Sequence, residues 1–580
     1  LKSLLKLLCA PIRNNCFFYI ATFCLFSISI LFIEYGRCSR MRAGLEVFFD
    51  LYLLCVFVSL FPEKIRKYIK YFIFSLLFII GIIDMICYKT MGIAMSPNIL
   101  QTWMLTNNNE ATEAISQFFS LKLLLSPISL FFLIPFIPVI LKRINFSLHH
   151  YIIYVILFIT SISGVYGINN KIYLHHVFSR VSDDDMKEYK EIDTMTREYL
   201  PIYRLLFSWK EINRFSGMGE KLLENINKTN IDSCSFKSPN IVLIIGESYN
   251  KYHSSLYGYN KNTTPYQQIL KEKGCLYLFN DVISSYNLTF KSFQNMLSLY
   301  SIDKPGVWYN YPLLMPLFRK AGYEVNFFSN QYCIDKSEAF SDFIEDMFIN
   351  NKQLDKHFFD NRNPATHNYD DELLNDYITL CDTTGSKPQL NIFHFIGIHA
   401  EFNKRFPEEW NKFKTTDYNR DDLDNSQKQI LADYDNAIAY NDYVINNIIS
   451  FFENKNSIII YVPDHGELIF DNGPEFGRNL TIKKEIIKPQ YDIPFWIYCT
   501  PEYKANNESL CNEIACSLNK PFMTDDLPHL ILYLAGINAD CYDEERNIIS
   551  SRFNVNRKRL IQENIDYDKL VLNPTNTKIL

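Results

Sequence analysis

The chain has 580 residues, 48% of them hydrophobic and 21% charged, with a formal net charge of -6. The charge is uneven: residues 1–170 carry 14 Lys/Arg against 7 Asp/Glu, and residues 171–580 carry 44 against 57. A basic, apolar part followed by an acidic, polar one excludes a uniform soluble body, suggests a membrane unit joined to a soluble unit, and gives no expectation of a nucleic-acid partner.

Five apolar runs, at 16–33, 45–61, 71–88, 121–141 and 151–168, each approach the ~20 residues that cross a hydrocarbon core. Stretches such as "CVFVSLF" and "SLFFLIPFIPVIL" are apolar all round, where a buried soluble helix would show a polar stripe. Residues 1–170 are therefore predicted to form a five-helix transmembrane domain. With the N-terminus inside, the cytoplasmic loops hold Lys2, Lys6, Arg13, Lys64, Arg66, Lys67, Lys70, Lys142 and Arg143. The opposite loops hold Arg37, Arg40, Arg42, Lys89 and Lys122. That bias favours the N-in orientation, and an odd number of spans exports everything after residue 170. Eight of the 14 cysteines follow residue 170, an even set in an oxidising compartment, so disulfides are expected there. There is no CxxC pair to suggest a cysteine zinc site.

Residues 171–238 read as a linker with interfacial amphipathic helices. "YLPIYRLLFSWKEINRF" places aromatics, leucines and basic residues at helical spacing, either at headgroup depth or packed on the soluble part. From 239 to 560 short β-rich runs alternate with segments of helical period. The runs are "NIVLIIG" (240–246), "YEVNFFS" (323–329), "LNIFHFI" (390–396) and "SIIIYVP" (457–463), and the helical segments include 372–380 and 427–453. Buried strands alternating with helices predict an α/β sheet covered on both faces, with ligands just past the strand ends. Residues 561–580 are expected to be a C-terminal tail.

The strand ends carry chemistry. Gly246-Glu247-Ser248 follows the first run, Asn330 the second, His399 the third, and Asp464-His465-Gly466-Glu467 the fourth. Carboxylates and imidazoles together suit a borderline divalent ion such as zinc.

These residues carry a family resemblance. "NIVLIIGESYNKYHSSLYGYNKNTTP" (240–265) resembles the opening of the catalytic domain of bacterial phosphoethanolamine transferases, within the sulfatase/alkaline-phosphatase superfamily. Ordered matches follow: "TFKSFQNMLS" (289–298), "GYEVNFFSNQ" (322–331), "YDDELL" (369–374), "FIGIHAEFNKRFP" (395–407), "VPDHGE" (462–467) and "YDIPFWIY" (491–498). The resemblance covers about 240–550, and the five spans fit the family's layout. "FGRN" (476–479) and the following YDIPF are more similar to the branch that modifies lipopolysaccharide core sugars than to the lipid A branch.

The resemblance implies a five-helix membrane domain followed by an exported α/β sulfatase-like (alkaline-phosphatase-like) domain. Glu247, Asp464 and His465 match zinc ligands, and Thr289 matches the nucleophile, whose oxygen is also a ligand. A threonine hydroxyl is a weak nucleophile until a metal or base activates it. His399 matches a histidine that contacts phosphate or a second zinc and could protonate the departing oxygen. Asn330 and Lys336 match substrate-contacting positions. Thr106 and Glu110, in "TNNNEATEA", match a segment associated with the ethanolamine head. His253 and His394 read as structural. No cysteine brackets the nucleophile, and no second histidine follows the DHGE motif in "LIFDNGPEFGRN", so one zinc ion is expected.

The implied activity is transfer of phosphoethanolamine from phosphatidylethanolamine to lipopolysaccharide, on core sugar or lipid A, through a covalent threonine intermediate. The implied location is the bacterial inner membrane with the catalytic domain in the periplasm. An added amine would weaken the surface's attraction for cationic peptides such as polymyxin. The alternatives are a phosphoglycerol transferase acting on membrane glycans and a non-catalytic membrane-anchored glycan-binding protein.

Overall fold

The computed structural model describes the whole chain except residues 1, 34–36, 98, 101–102, 104–126, 180–199, 215–217, 332–347, 386, 481, 563 and 573–580. It divides into two compact units, 1–215 and 216–578, a boundary inside the stretch read as a linker.

In the first unit the apolar runs lie on helices α1 (Lys2–Asn14), α2 (Cys16–Phe32), α3 (Arg37–Ser59), α4 (Glu63–Met91), α5 (Ile137–Arg143) and α6 (His150–Ser179). Among the described residues, α4 alone is long and apolar enough to cross a membrane unaided. Ser3–Asn14 and Cys16–Phe32, bent by 68°, form a pair that passes together. The fourth run is a 3-10 helix, Pro127–Phe136, running into α5. Pro135 and Pro138 lie at this junction; each lacks an amide hydrogen for the α-helical ladder. Helix α7 (Pro201–Arg214) is the amphipathic segment. It packs on α4, where Arg204 Nε donates to Asp84 Oδ1 at 2.9 Å and both side chains are 1% exposed.

The second unit is built on a seven-stranded sheet: β1 (Asn240–Gly246), β2 (Leu276–Phe279), β3 (Glu324–Ser329), β4 (Asn361–Arg362), β5 (Gln389–His394), β6 (Ser457–Pro463) and β7 (Phe495–Cys499). The spatial order is β2-β7-β6-β1-β5-β3-β4, with β7 antiparallel to both neighbours and all other pairs parallel. Apart from Asn240, the central strands β1 and β6 are buried throughout, which accounts for their unbroken Ile/Val/Leu runs. One face is covered by α9 (Asn425–Phe452), which starts at an Asp424–Gln427 capping box. Its Leu431, Tyr434, Ile438, Ile445, Ile449 and Phe452 pack with Val242, Phe393 and Tyr461 of the strands.

Because β1, β5 and β6 are parallel neighbours, their carboxyl ends come out side by side. Gly246 is required there: a Cβ would stand 2.4 Å from the Tyr461 hydroxyl.

Two sequence expectations look different in the fold. No disulfide forms among the described cysteines. Cys511 is buried on a helix, Glu508–Ala515, while Cys516 is exposed just beyond its end, so the pair closest in sequence faces different surroundings. The expected tail, as far as residue 572, is packed: Ile561 and Tyr567 join a cluster with Ile283, Ile487 and Tyr491. Arg559 also bridges Asp281 and Asp568.

Candidate active site

Glu247 and Ser248 leave the end of β1, and Asp464 and His465 leave the end of β6. The ligand atoms of Glu247, Asp464 and His465 lie within 4.8 Å of one another, and all three residues are buried. Thr289 is the first residue of helix α8 (Thr289–Met296), after Leu288 in extended conformation. Its Oγ1 lies 3.1 Å from Glu247 Oε2 and 3.5 Å from His465 Nε2. A hydroxyl at a helix N-terminus sits in a positive field that favours the alkoxide.

Backbone contacts hold this group in place. Ser248 has φ 54°, a left-handed conformation uncommon for a residue with a Cβ. It donates its amide to Asp464 Oδ1 at 3.1 Å and its hydroxyl to Glu247 Oε1 at 2.6 Å. Tyr434 of α9 holds the same turn, donating to the Ser248 carbonyl and accepting from Asn250 N. The second turn closes on Gly466, where a Cβ would meet the Pro489 carbonyl oxygen at 2.1 Å.

The donor set fits a metal ion. His465 Nδ1 lies 2.7 Å from the Gly466 carbonyl, so its proton resides there and Nε2 keeps its lone pair facing the carboxylates. Burial pushes the His465 imidazole down to about 4, so it is a neutral ligand. Asp464 Oδ2 is buried with no hydrogen-bond partner, although it lies 3.3 Å from His465 Nε2. Burial and the charge of Glu247 raise the Asp464 carboxyl well above the usual range. Burial also disfavours ionised Glu247, but Arg478, His465, His399 and Ser248 outweigh it and hold that carboxyl below the ordinary range. Oxygen and nitrogen donors at this spacing, one of them an orphaned buried oxygen, match the chemistry of a zinc site.

The other expected site residues separate. His399 lies past β5; its Nδ1 is buried without a partner, and burial depresses the ring to about 3. Asn330 does not offer a free amide: Nδ2 donates to Asp370 Oδ1 at 2.7 Å and Oδ1 accepts from His367 N at 2.9 Å. Its side chain is a brace for the loop, because buried amides are stable only when paired. Lys336, Thr106 and Glu110 lie outside the described residues. His253 pairs with Asp435 and His394 with Ser329, as structural readings require. Asn287, Leu288 and Thr289 form an Asn-x-Thr sequon, but Asn287 is 1% exposed and donates to Asn479 O and Gln490 Oε1, which does not suit a glycan acceptor in the fold.

Three residues escaped the sequence reading. Arg478 Nη2 donates to Glu247 Oε1 at 2.6 Å and to Ser248 Oγ at 3.1 Å. Its signal was the "FGRN" motif, used there only to choose a branch. Gln331, beside Asn330, donates Nε2 to Glu247 Oε2 at 3.0 Å. Asp370 of "YDDELL" accepts the amides of Ile396 and Gly397, fixing the loop that carries His399. Burial lifts its carboxyl to about 6 despite those bonds.

Residues 239–537 match the sequence profile of the Sulfatase family. Phosphoethanolamine transferase EptC of Escherichia coli (strain K12) is 27% identical over 566 residues, 93% of each chain. The crystal structure of the C-terminal periplasmic domain of EcEptC from Escherichia coli aligns with a TM-score of 0.50 and 26% identity, over 59% of this chain and 95% of that chain. The integral membrane protein lipooligosaccharide phosphoethanolamine transferase A (EptA) from Neisseria meningitidis aligns with a TM-score of 0.57 at 17% identity. That alignment spans 91% of this chain and 97% of that chain, so the likeness in fold includes the N-terminal unit. The buried Glu-Asp-His cluster at the strand ends thus sits within the matched region, and the chain belongs to the sulfatase family.

Proposed function

We propose that the protein is a five-span inner-membrane enzyme whose periplasmic unit transfers phosphoethanolamine from phosphatidylethanolamine to lipopolysaccharide. The observation that carries this reading is the Thr289 hydroxyl at 3.1 Å from Glu247, beside the buried Asp464 and His465. It is supported by a phosphoethanolamine transferase that is similar over 93% of both chains.

Glu247, Asp464, His465 and Thr289 Oγ1 would hold one zinc ion. Such an ion supplies Lewis-acid activation of the hydroxyl and shields charge on the phosphoryl group. Thr289 Oγ1 forms the new bond to phosphorus while the phosphorus–oxygen bond to diacylglycerol breaks. Glu247 Oε2 accepts the hydrogen bond of the hydroxyl and orients it. The hydroxyl proton passes to water, because Glu247 is held ionised, and the departing oxygen takes up a proton from water beside the neutral ring of His399. A hydroxyl or phosphate of the acceptor then attacks phosphorus, and the bond to Thr289 breaks. Arg478, with its guanidinium 2.6 Å from Glu247, stands where a second histidine is absent from the motif and is suited to pair with phosphoryl oxygens. The branch-specific "FGRN" and YDIPF favour a core-sugar acceptor.

Mass spectrometry of lipopolysaccharide from cells with and without the gene tests the reading. A phosphoethanolamine increment that requires Thr289 is expected on core sugar; an increment that persists in Thr289→Ala cells would remove the nucleophile assignment.

A further inference from the structure

The first unit contains a cavity of about 1730 Å³ at one end of its helices. It is an open cleft bounded by the end of α1, the starts of α2, α4 and α6, and the end of α5. Six cations line it: Arg13, Arg66, Lys67, Lys70, Lys142 and Arg143. Among the described residues, Glu63 is the one carboxylate in the lining. The ion pairs described in this unit, Arg42–Glu46, Lys171–Asp50 and Arg204–Asp84, use other residues. The six cations are therefore not neutralised by neighbouring acids among the described residues.

The charged end is partly satisfied. Arg66 Nη2 donates to the carbonyls of Ser59 and Phe61, and Lys70 Nζ reaches the carbonyl of Asn14 at 3.4 Å. Two buried polar atoms in the lining have no partner among the described residues: Arg66 Nε, a donor, and Asn15 Oδ1, an acceptor. Deeper along the helices the wall turns apolar, with Phe18, Phe74, Phe78 and Ile153. Its volume exceeds the roughly 300–1,000 Å³ of ordinary small-molecule sites.

We infer that this cavity binds the headgroup and upper acyl chains of an anionic glycerophospholipid. A phosphodiester matches the cations and the free Arg66 Nε–H, and a headgroup hydroxyl matches Asn15 Oδ1. The acyl chains match the phenylalanine wall. An ammonium headgroup would enter a field of excess positive charge, so a zwitterionic lipid of similar size is disfavoured. The cations are those that the loop bias assigns to the cytoplasmic face, where anionic lipids attract basic clusters. The site lies wholly within the first unit and is separate from the Glu247–Asp464–His465 cluster.

The experiment is native mass spectrometry of the full chain, purified in mild detergent and titrated with dioleoyl-phosphatidylglycerol, dioleoyl-phosphatidylethanolamine or inorganic phosphate. Preferential retention of phosphatidylglycerol is expected, with each neutralised cation reducing it about fivefold. The variants are Arg66→Gln and, because Lys142 and Arg143 are exposed, the double change Lys142→Gln/Arg143→Gln, each checked for an unchanged unfolding temperature. Retention of phosphatidylethanolamine that falls in the double variant as far as that of phosphatidylglycerol would overturn the inference. So would binding of inorganic phosphate alone, or undiminished phosphatidylglycerol selectivity in the double variant.

Discussion

Arg478 Nη2 and Glu247 Oε1 are 2.6 Å apart, so a guanidinium compensates the most strongly ionised carboxylate of the site. Arg478 is 21% exposed while Glu247 is fully buried, so the arginine is the member of the pair that a bound phosphoryl group can reach. Replacing Arg478 with Gln should lower kcat about 10²–10³-fold, the usual cost of removing one donor aimed at developing negative charge. Lys should restore only part of it, because an ammonium cannot form the two-pronged contact. Steady-state kinetics with a phosphatidylethanolamine analogue checks this, and equal loss in the Lys and Gln variants would point to a folding defect.

Thr289→Ala should reduce transfer to background while leaving the unfolding temperature nearly unchanged, since the side chain loses only a hydroxyl and a methyl group at a helix start. Thr289→Ser retains the hydroxyl and should keep measurable activity. Intact-mass measurement after donor addition should show a covalent phosphoethanolamine adduct on wild-type protein and none on the Ala variant.

Metal binding should stabilise the second unit, because it neutralises two buried carboxylates and satisfies Asp464 Oδ2. Zinc at one hundred times its Kd should add about 2.7 kcal/mol by mass action. Chelation should reverse that gain, and Asp464→Asn should abolish it. A melting curve unaffected by zinc would contradict the assignment of the cluster as a metal centre.

The sheet and the Glu247–Asp464–His465 cluster were legible because both rest on local patterns. Strands buried on both faces announce themselves as runs such as "NIVLIIG", and polar residues at their ends stand out by contrast. Arg478, Gln331 and Asp370 were not legible in the same way. Their roles arise from contacts 231, 84 and 27 residues away along the chain, to Glu247, Glu247 and Gly397. Asn330 shows the complementary limit: its position at a strand end is the same whether its amide faces a substrate or braces Asp370. The membrane unit divided similarly. Composition marks apolar helices, but it cannot show that Asp84 in α4 awaits Arg204 in a helix 120 residues on.

That buried pair gives a prediction of its own. Asp84 also accepts the amide of Met95 at 2.9 Å, so it organises the turn after α4 as well as α7. Arg204→Met should destabilise the first unit by about 3–5 kcal/mol by leaving a charge without its partner. Replacing both residues with apolar ones of similar volume should cost much less. Chemical unfolding of the full chain in detergent distinguishes the two; equal losses would mean that the ion pair itself, rather than the stranded charge, sets the stability.

His529 links stability to pH. Burial depresses its imidazole to about 3, Nδ1 accepts the Asp543 amide at 3.1 Å, and Nε2 is buried without a partner. The folded state therefore keeps the ring neutral, while the unfolded chain binds a proton near pH 6.5. Above that pH neither state is protonated and His529 contributes no slope. As pH falls from 6.5 toward 3 the unfolded state gains the proton alone, so stability drops by about 1.4 kcal/mol per pH unit from this residue. His529→Asn preserves an acceptor for the Asp543 amide and has no proton to bind, so its stability should fall less steeply between pH 6.5 and 5. Urea unfolding across that range measures the two slopes, and parallel curves for wild type and variant would show that His529 is not the group responsible.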